Sequence, residues 1–252
     1  MGQYFREARR GRVGEESGET VVCADRDVRL MFASIADQYD RINSIISLGR
    51  HHRWRRLAVK ISGARQGHRV LDCATGTGDL AIAFKKRVGE SGMVVGVDFC
   101  PEMLKHARHK ARLQGLAVKF DLADAQNLPY EDNYFDLAGM AFGLRNVSNP
   151  VQALQEMARV VKPGGKVVVL ELGQPHGFLK YPYYLYSRYA IPAVGGRLSG
   201  NRRAYVYLQQ SSARFPAGQK FLDLMARAGR FSHKKAYALA GCIAYIYAGT
   251  VT

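Results

Sequence analysis

Three aspartates stand at the ends of three apolar runs: Asp72 after Val70 and Leu71, Asp98 after residues 93–97, and Asp124 just past residues 116–122. Between the first two lies Thr75-Gly76-Thr77-Gly78, read as a tight turn. Glycines in such a turn let a ligand approach the backbone with no Cβ in the way. A carboxylate about twenty residues beyond the turn can accept both hydroxyls of a ribose. An acid past the third run is well placed to meet an adenine amino group. A fourth run, residues 134–142, ends in Gly143-Leu144-Arg145-Asn146-Val147, which puts a cation and an amide at the same edge.

The elements that must position these groups follow from periodicity. Residues 68–72 read as a buried strand, and residues 79–87 as a helix with Leu80, Ile82, Ala83 and Phe84 on its apolar side. The turn therefore sits at a strand's carboxyl end, where open parallel α/β sheets bind ligands. Residues 101–114 and 150–161 read as further helices, Lys162-Pro163-Gly164-Gly165 as a turn, and residues 166–172 as a fifth strand. Five strands alternating with helices predict a doubly wound parallel sheet. A helix from Phe215-Pro216 to about Arg227 and a pair of strands at 231–239 and 242–251 close the chain. The glycine loop allows two readings. Gly76-x-Gly78-x-x-Ala81 fits a dinucleotide fingerprint, with Asp98 as its ribose acid. Read from Asp72, it matches the acidic-x-x-x-Gly-x-Gly turn of S-adenosylmethionine-dependent methyltransferases, where the acid lies close to the cationic methionine end of the cofactor.

Residues 1–27 are polar and aperiodic, which predicts a mobile tail before one domain spanning 28–252. Within that domain, residues 28–62 are amphipathic and predict a helical cap, with Val28, Met31, Phe32, Ile35 and Tyr39 at helical spacing. His51 and His52 are adjacent, and helical neighbours point about 100° apart, so no metal site is expected there. Residues 175–212 form an insertion crowded with tyrosines. Between Gln174 and Lys235 there are eleven bases and one acid, Asp223, which accounts for much of the net charge of +16. Such a charge balance implies an anionic partner, whether nucleic acid, an anionic membrane surface or an acidic substrate; tyrosines among bases suit a lipid headgroup surface and would also suit RNA. No apolar run reaches the length of a membrane span, no secretory signal is read at the amino terminus, and the four cysteines share no metal-ligand spacing. A cytoplasmic protein peripherally bound to an anionic membrane surface is expected.

Several longer stretches then converge. Tyr39-Asp40-Arg41-Ile42-Asn43, Phe142-Gly143-Leu144-Arg145-Asn146, Asp124-Ala125 with Leu128-Pro129, and Arg159 to Gly165 with Leu170-Glu171 resemble the C-methyltransferases of menaquinone and ubiquinone biosynthesis, from about Phe32 to the end. The resemblance implies a class I methyltransferase fold: a Rossmann-like, seven-stranded, mostly parallel sheet with a carboxyl-terminal antiparallel hairpin. It implies S-adenosyl-L-methionine as methyl donor, with no metal, bound by Asp72, Gly76, Thr77, Gly78, Asp98, Asp124, Ala125 and Ala141. Ala141 offers no side-chain hydroxyl, where family members more often have Ser or Thr. It further implies a membrane-dissolved polyprenyl quinol as substrate, with Arg145 and Asn146 holding the developing oxyanion and Tyr39 positioning or relaying the proton. A homo-oligomer is compatible with it, and no nucleic-acid partner is expected. An RNA or other small-molecule methyltransferase of the same fold is the alternative. A nicotinamide dehydrogenase is disfavoured by Asp72 and the closing hairpin.

Overall fold

Three amphipathic helices come first: α1 (Asp25–Ile35), α2 (Tyr39–Ile46) and α3 (Arg50–Ser62). The computed structural model describes residues 25–252. The tail expected over 1–27 thus lies outside the described residues except for its last three, which already form the first turn of α1. The alternating part follows as β1 (Arg69–Cys73), α4 (Asp79–Val88), β2 (Met93–Asp98), α5 (Pro101–Leu113), β3 (Lys119–Leu122), β4 (Phe135–Ala141), α6 (Pro150–Arg159) and β5 (Val161–Leu172). The insertion supplies α7 (Lys180–Leu185), α8 (Ile191–Ser199) and α9 (Arg202–Arg214), before α10 (Gln219–Arg227), β6 (Phe231–Leu239) and β7 (Ala244–Val251).

The seven strands form one sheet in the order β3-β2-β1-β4-β5-β7-β6. The first five are parallel, and β7 enters antiparallel between β5 and β6. The expected architecture is therefore present. β1 is its centre, and every residue of it after Arg69 is buried. α4 and α5 cover one face through Leu80, Phe84 and Leu104. α6 and α10 cover the other, where Phe221 stacks on Tyr247 with ring centroids 3.8 Å apart. α3 lays Trp54 and Ala58 against Val168, Leu170 and Ile246. The cap and the insertion share a smaller core in which Ile35 and Ile42 meet Ala204 and Tyr205. Burying side chains of this size stabilises by about 1.5–3 kcal/mol each.

Local readings change at three places. Residues 162–165 are not a turn before β5 but a bulge inside it: Phe135 pairs with Val161 and Leu137 with Lys166, so the glycines loop out while the ladder continues on both sides. α10 starts at Gln219 rather than at Phe215, and β7 at Ala244 rather than at Cys242. The tyrosine-rich segment is helical despite Pro182 and Pro192. Pro182 lies in the first turn of α7, where a missing N–H breaks no helical bond. A wide π turn at Tyr186–Ala190 leads into Pro192 and gives its ring room.

Candidate active site

Beyond β1 the chain is pinned before it turns. The Thr75 amide donates to the Val97 carbonyl at 2.9 Å, and its hydroxyl to Asp72 Oδ2 at 2.6 Å. The Gly76 amide then donates to Asp98 Oδ2 at 2.8 Å, and the Cys100 amide to Asp98 Oδ1 at 2.9 Å. Asp98 is thereby fixed by two backbone donors, and each oxygen keeps a lone pair for a ligand. Burial pushes its carboxyl up to about 6, less than it otherwise would because of those amides. Gly76 has a φ of +56° and open space where a Cβ would project. A cleft opens here, lined by Gly76, Asp98, Asp124, Ala125, Ala141 and Asn146 among others. Among the described residues no Lys, Arg or His lines it. Its polar groups are mainly acceptors, which suits a ligand bearing hydroxyls, an amine and positive charge, and does not suit a pyrophosphate.

Asp72, Thr77 and Gly78 do not line this cleft. Asp72 is fully buried behind Thr75, its Oδ1 without a partner, and burial lifts its carboxyl to about 7 against the Thr75 hydroxyl. Gly78, at φ +85°, lets α5 press close: a Cβ there would lie 3.0 Å from that of Ala107. Thr77 faces the cap. Its hydroxyl donates to Asp40 Oδ1 at 2.6 Å and accepts from Lys110 Nζ at 3.1 Å. Lys110 also reaches Asp40 Oδ2 at 2.5 Å and Asp79 Oδ1 at 2.7 Å, and Arg55 lies 3.5 Å from Asp79. This clasp joins α2, α3, α4 and α5 at the glycine turn. Burial works against the charge on Asp79, but Arg55 and Lys110 outweigh it and hold its carboxyl low.

The two histidines stand differently from expectation. Their ring centroids are 3.8 Å apart, and with Asp79 their ligand atoms fall within 4.8 Å of one another. Adjacent helical positions thus did not separate them. Yet Asp79 already serves Arg55 and Lys110, and Arg55 also bonds His51 Nδ1, so the surroundings are cationic. Burial, then Arg55, pushes His51 down to about 3 and keeps it neutral.

A second cavity of about 370 Å³ lies between the cap and the insertion. Its walls are mostly apolar and aromatic. Phe32, Tyr39, Phe142 and Asn146 line both this cavity and the cleft, so they form the partition between the two. Phe142 follows the end of β4 with a φ of +60°, and the short helical turn at Leu144–Asn146 comes next. There Arg145 Nη1 donates to the Phe142 carbonyl at 2.7 Å and to Glu171 at 2.9 and 3.2 Å. Both side chains of the pair are almost fully buried. Four buried polar atoms on residues that line this cavity are left without partners: Arg145 Nε and Asn146 Oδ1, adjacent in this turn, and Ser47 Oγ and Tyr205 Oη on the cap and the insertion. Burial raises the Tyr39 hydroxyl, and Arg55 and Arg145 oppose that. At the mouth, the Tyr186 hydroxyl donates to the Ile46 carbonyl at 2.7 Å and ties the insertion to α2. Glu171 was quoted in sequence only as part of a motif. The signal that marks it is a lone acid inside the apolar run of β5.

The model of the ubiE/COQ5 methyltransferase family matches residues 20–251 of this chain. The ubiquinone/menaquinone biosynthesis C-methyltransferase UbiE of Bdellovibrio bacteriovorus is 53% identical over 228 residues, 89% of this chain and 95% of the relative. The demethylmenaquinone methyltransferase of Thermus thermophilus is 46% identical over 200 residues, 79% of this chain and 90% of its own. Among solved structures, a SAM-dependent methyltransferase from Aquifex aeolicus superposes with a TM-score of 0.55 at 20% identity, covering 79% of this chain and 89% of that one. One from Thermotoga maritima, described as a possible histamine N-methyltransferase, gives 0.59 at 21%, covering 88% and 99%. These two likenesses concern the fold.

Proposed function

The chain belongs to the ubiE/COQ5 methyltransferase family, and from that premise we propose that it transfers a methyl group to a ring carbon of a demethylated polyprenyl quinol. It is an S-adenosylmethionine-dependent C-methyltransferase. The cleft suits that donor: acceptor groups at Asp98, Asp124 and Asn146 oppose hydroxyls, an amino group and a cation, and among the described residues no base stands with them.

The observation that carries the choice of substrate is a pair of unpartnered atoms on adjacent residues, Arg145 of the second cavity and Asn146 of the partition. Arg145 Nε–H is a donor and Asn146 Oδ1 an acceptor, both buried at the edge of an apolar cavity. Together they complement one ring hydroxyl, which can donate and accept. The apolar walls receive the ring and the start of its tail. S-adenosylmethionine supplies a methyl group on a sulfonium, already activated for transfer. Asp98 receives the ribose hydroxyls, Asp124 the adenine amino group, and the backbone at Gly76 and Ala141 lets the nucleoside lie close. Asp72 sits behind the turn and, once it loses its proton, contributes negative potential toward the sulfonium end. On the acceptor side the ring carbon becomes nucleophilic as its neighbouring hydroxyl loses a proton. Arg145 holds the developing oxyanion, Asn146 orients the hydroxyl, and Tyr39, at the partition, positions the proton. Alignment of carbon, methyl and sulfur across the partition does the rest.

The exposed face of the insertion supports a membrane role. Phe178 is 87% exposed, Tyr181 70% and Tyr189 62%, and Leu48 at the cavity mouth is 81% exposed. Lys180, Arg188 and Arg197 belong to the same segment. Among the described residues no helix is long and apolar enough to cross a bilayer. A peripheral enzyme resting this face on anionic lipid would draw its substrate sideways from the bilayer. Incubation of the protein with labelled S-adenosylmethionine and a demethylated quinol in detergent tests the reading. One methyl should appear on the reduced ring and none on the oxidised quinone. Label found in tRNA and not in the quinol would overturn it.

A further inference from the structure

The arginine proposed to hold the oxyanion does not stand alone. Arg145 shares Nη1 with both oxygens of Glu171, and the two side chains are 3% and 1% exposed. An arginine keeps its proton at any physiological pH. Without a counter-charge it would place a full positive charge in an apolar cavity, at high desolvation cost. It would also draw any hydroxylated ring beside it into the ionised form before the methyl donor is aligned. With Glu171 behind it, the pair is neutral overall, while Nε–H remains a buried donor without a partner on a residue that lines the cavity.

We propose, on the footing of the quinol reading above, that Glu171 is a positioning residue whose carboxylate cancels the charge of Arg145, so that the cavity receives a neutral ring hydroxyl and Arg145 acts on the oxyanion only as it forms. The other ionisable groups that bear on the pair are tyrosines. Tyr39 on α2 and Tyr183 on α7 feel Arg145, and Tyr247 on β7 feels Glu171. Burial raises all three hydroxyls, so none supplies a competing negative charge near neutrality. The backbone amide of Leu172 is the remaining donor to Glu171, at 3.3 Å. Burial raises the Glu171 carboxyl and Arg145 opposes that. No other charged side chain is bonded to Glu171 among the described residues.

The test uses Glu171→Gln, which keeps shape and removes charge, with Glu171→Asp as a second variant that keeps the charge but withdraws it. A nitrophenol that is displaced by the demethylated quinol serves as probe, because its ionisation is read directly from its absorbance. In Glu171→Gln the bound probe should ionise at a pH lower by about one unit or more, as expected for a cation relieved of its partner. The acid limb of the kcat profile should move down by a similar amount, while KM for S-adenosylmethionine stays put. Glu171→Asp should shift both in the same direction by less, and it carries the test alone if Glu171→Gln does not fold. If a folded variant loses only thermal stability, with probe ionisation and kcat profile unmoved, Glu171 is a structural counter-ion and the proposal falls. A wild-type protein that methylates no quinol and binds no nitrophenol overturns the functional reading, and with it this one.

Discussion

At the scale of single residues, the two buried carboxyls of the cofactor side make separable predictions. Asp98→Ala removes an acceptor fixed by two backbone amides. Hydrogen bonds to a charged group are worth about 1.5–3 kcal/mol, so calorimetry should show cofactor affinity falling by roughly ten- to a hundredfold. Unchanged affinity would remove Asp98 from the site. Asp72 speaks through stability. The folded protein holds this proton up to about pH 7, and an unfolded chain releases it near pH 4. Its contribution to stability is therefore full below about pH 4 and is lost as pH rises to about 7. In the absence of cofactor, the melting temperature of wild type relative to Asp72→Asn should decline across that window. A constant difference would refute the shift. Arg145→Ala should lower turnover by about 10²–10³-fold, the effect of losing one oxyanion donor, and leave cofactor affinity nearly intact. Equal losses in both would count against its role. The local residues of this site were legible: Gly76, Asp98 and Asp124 lie near strand ends, and spacing alone marks them. The pairing of Arg145 with Glu171 was not, because the two lie 26 residues apart on different strand ends and only the sheet brings them together.

Among elements, the clasp at the glycine turn decides how the cap is held. Lys110 of α5 bonds Asp40 of α2, Thr77 of the turn and Asp79 of α4. Lys110→Met leaves two acids and a hydroxyl without their shared cation, and the cap should loosen from α5. Hydrogen exchange over α1 and α2 should accelerate several-fold, and KM for the cofactor should rise, while exchange in β1 and β4 is unchanged. Equal exchange in α2 would mean that the apolar contacts around Ile42 hold the cap by themselves. Thr77 was expected to touch the cofactor; it instead joins this clasp, bonding Asp40 and Lys110, which lie 37 and 33 residues away in sequence. Long-range partners of that kind leave no periodic trace. The bulge in β5 was hidden for another reason. Pro163-Gly164-Gly165 carries every local mark of a turn, and only the ladder on both sides, Phe135 with Val161 and Leu137 with Lys166, absorbs it into a strand. The helices of the insertion were obscured by their prolines, which break an interior turn but not a first one.

For the molecule as a whole, the proposed membrane face rests on the arrangement of charge and exposed aromatics. Phe178, Tyr181 and Tyr189 are side chains that a water-facing surface gains nothing by exposing. Changing the three to Ser should reduce co-sedimentation with phosphatidylserine vesicles by at least several-fold at low salt and leave turnover on a detergent-dispersed quinol intact. Binding that ignores both these changes and lipid charge would remove the membrane from the account. The alternation of strands and helices could be read directly because β1, β2, β4 and β7 are buried along nearly their whole length and read as continuous apolar runs. The depth of the second cavity could not, since it exists only between segments more than a hundred residues apart, as the bond from Tyr186 to Ile46 records. Phe32, Tyr39, Phe142 and Asn146 face into both chambers, and two of them belong to the cap. A single synthetic compound, an aromatic head joined by a short thioether to adenosine, would therefore occupy both rooms through one shared doorway. It would surrender its freedom of motion once instead of twice, and should hold the protein far more tightly than either half alone.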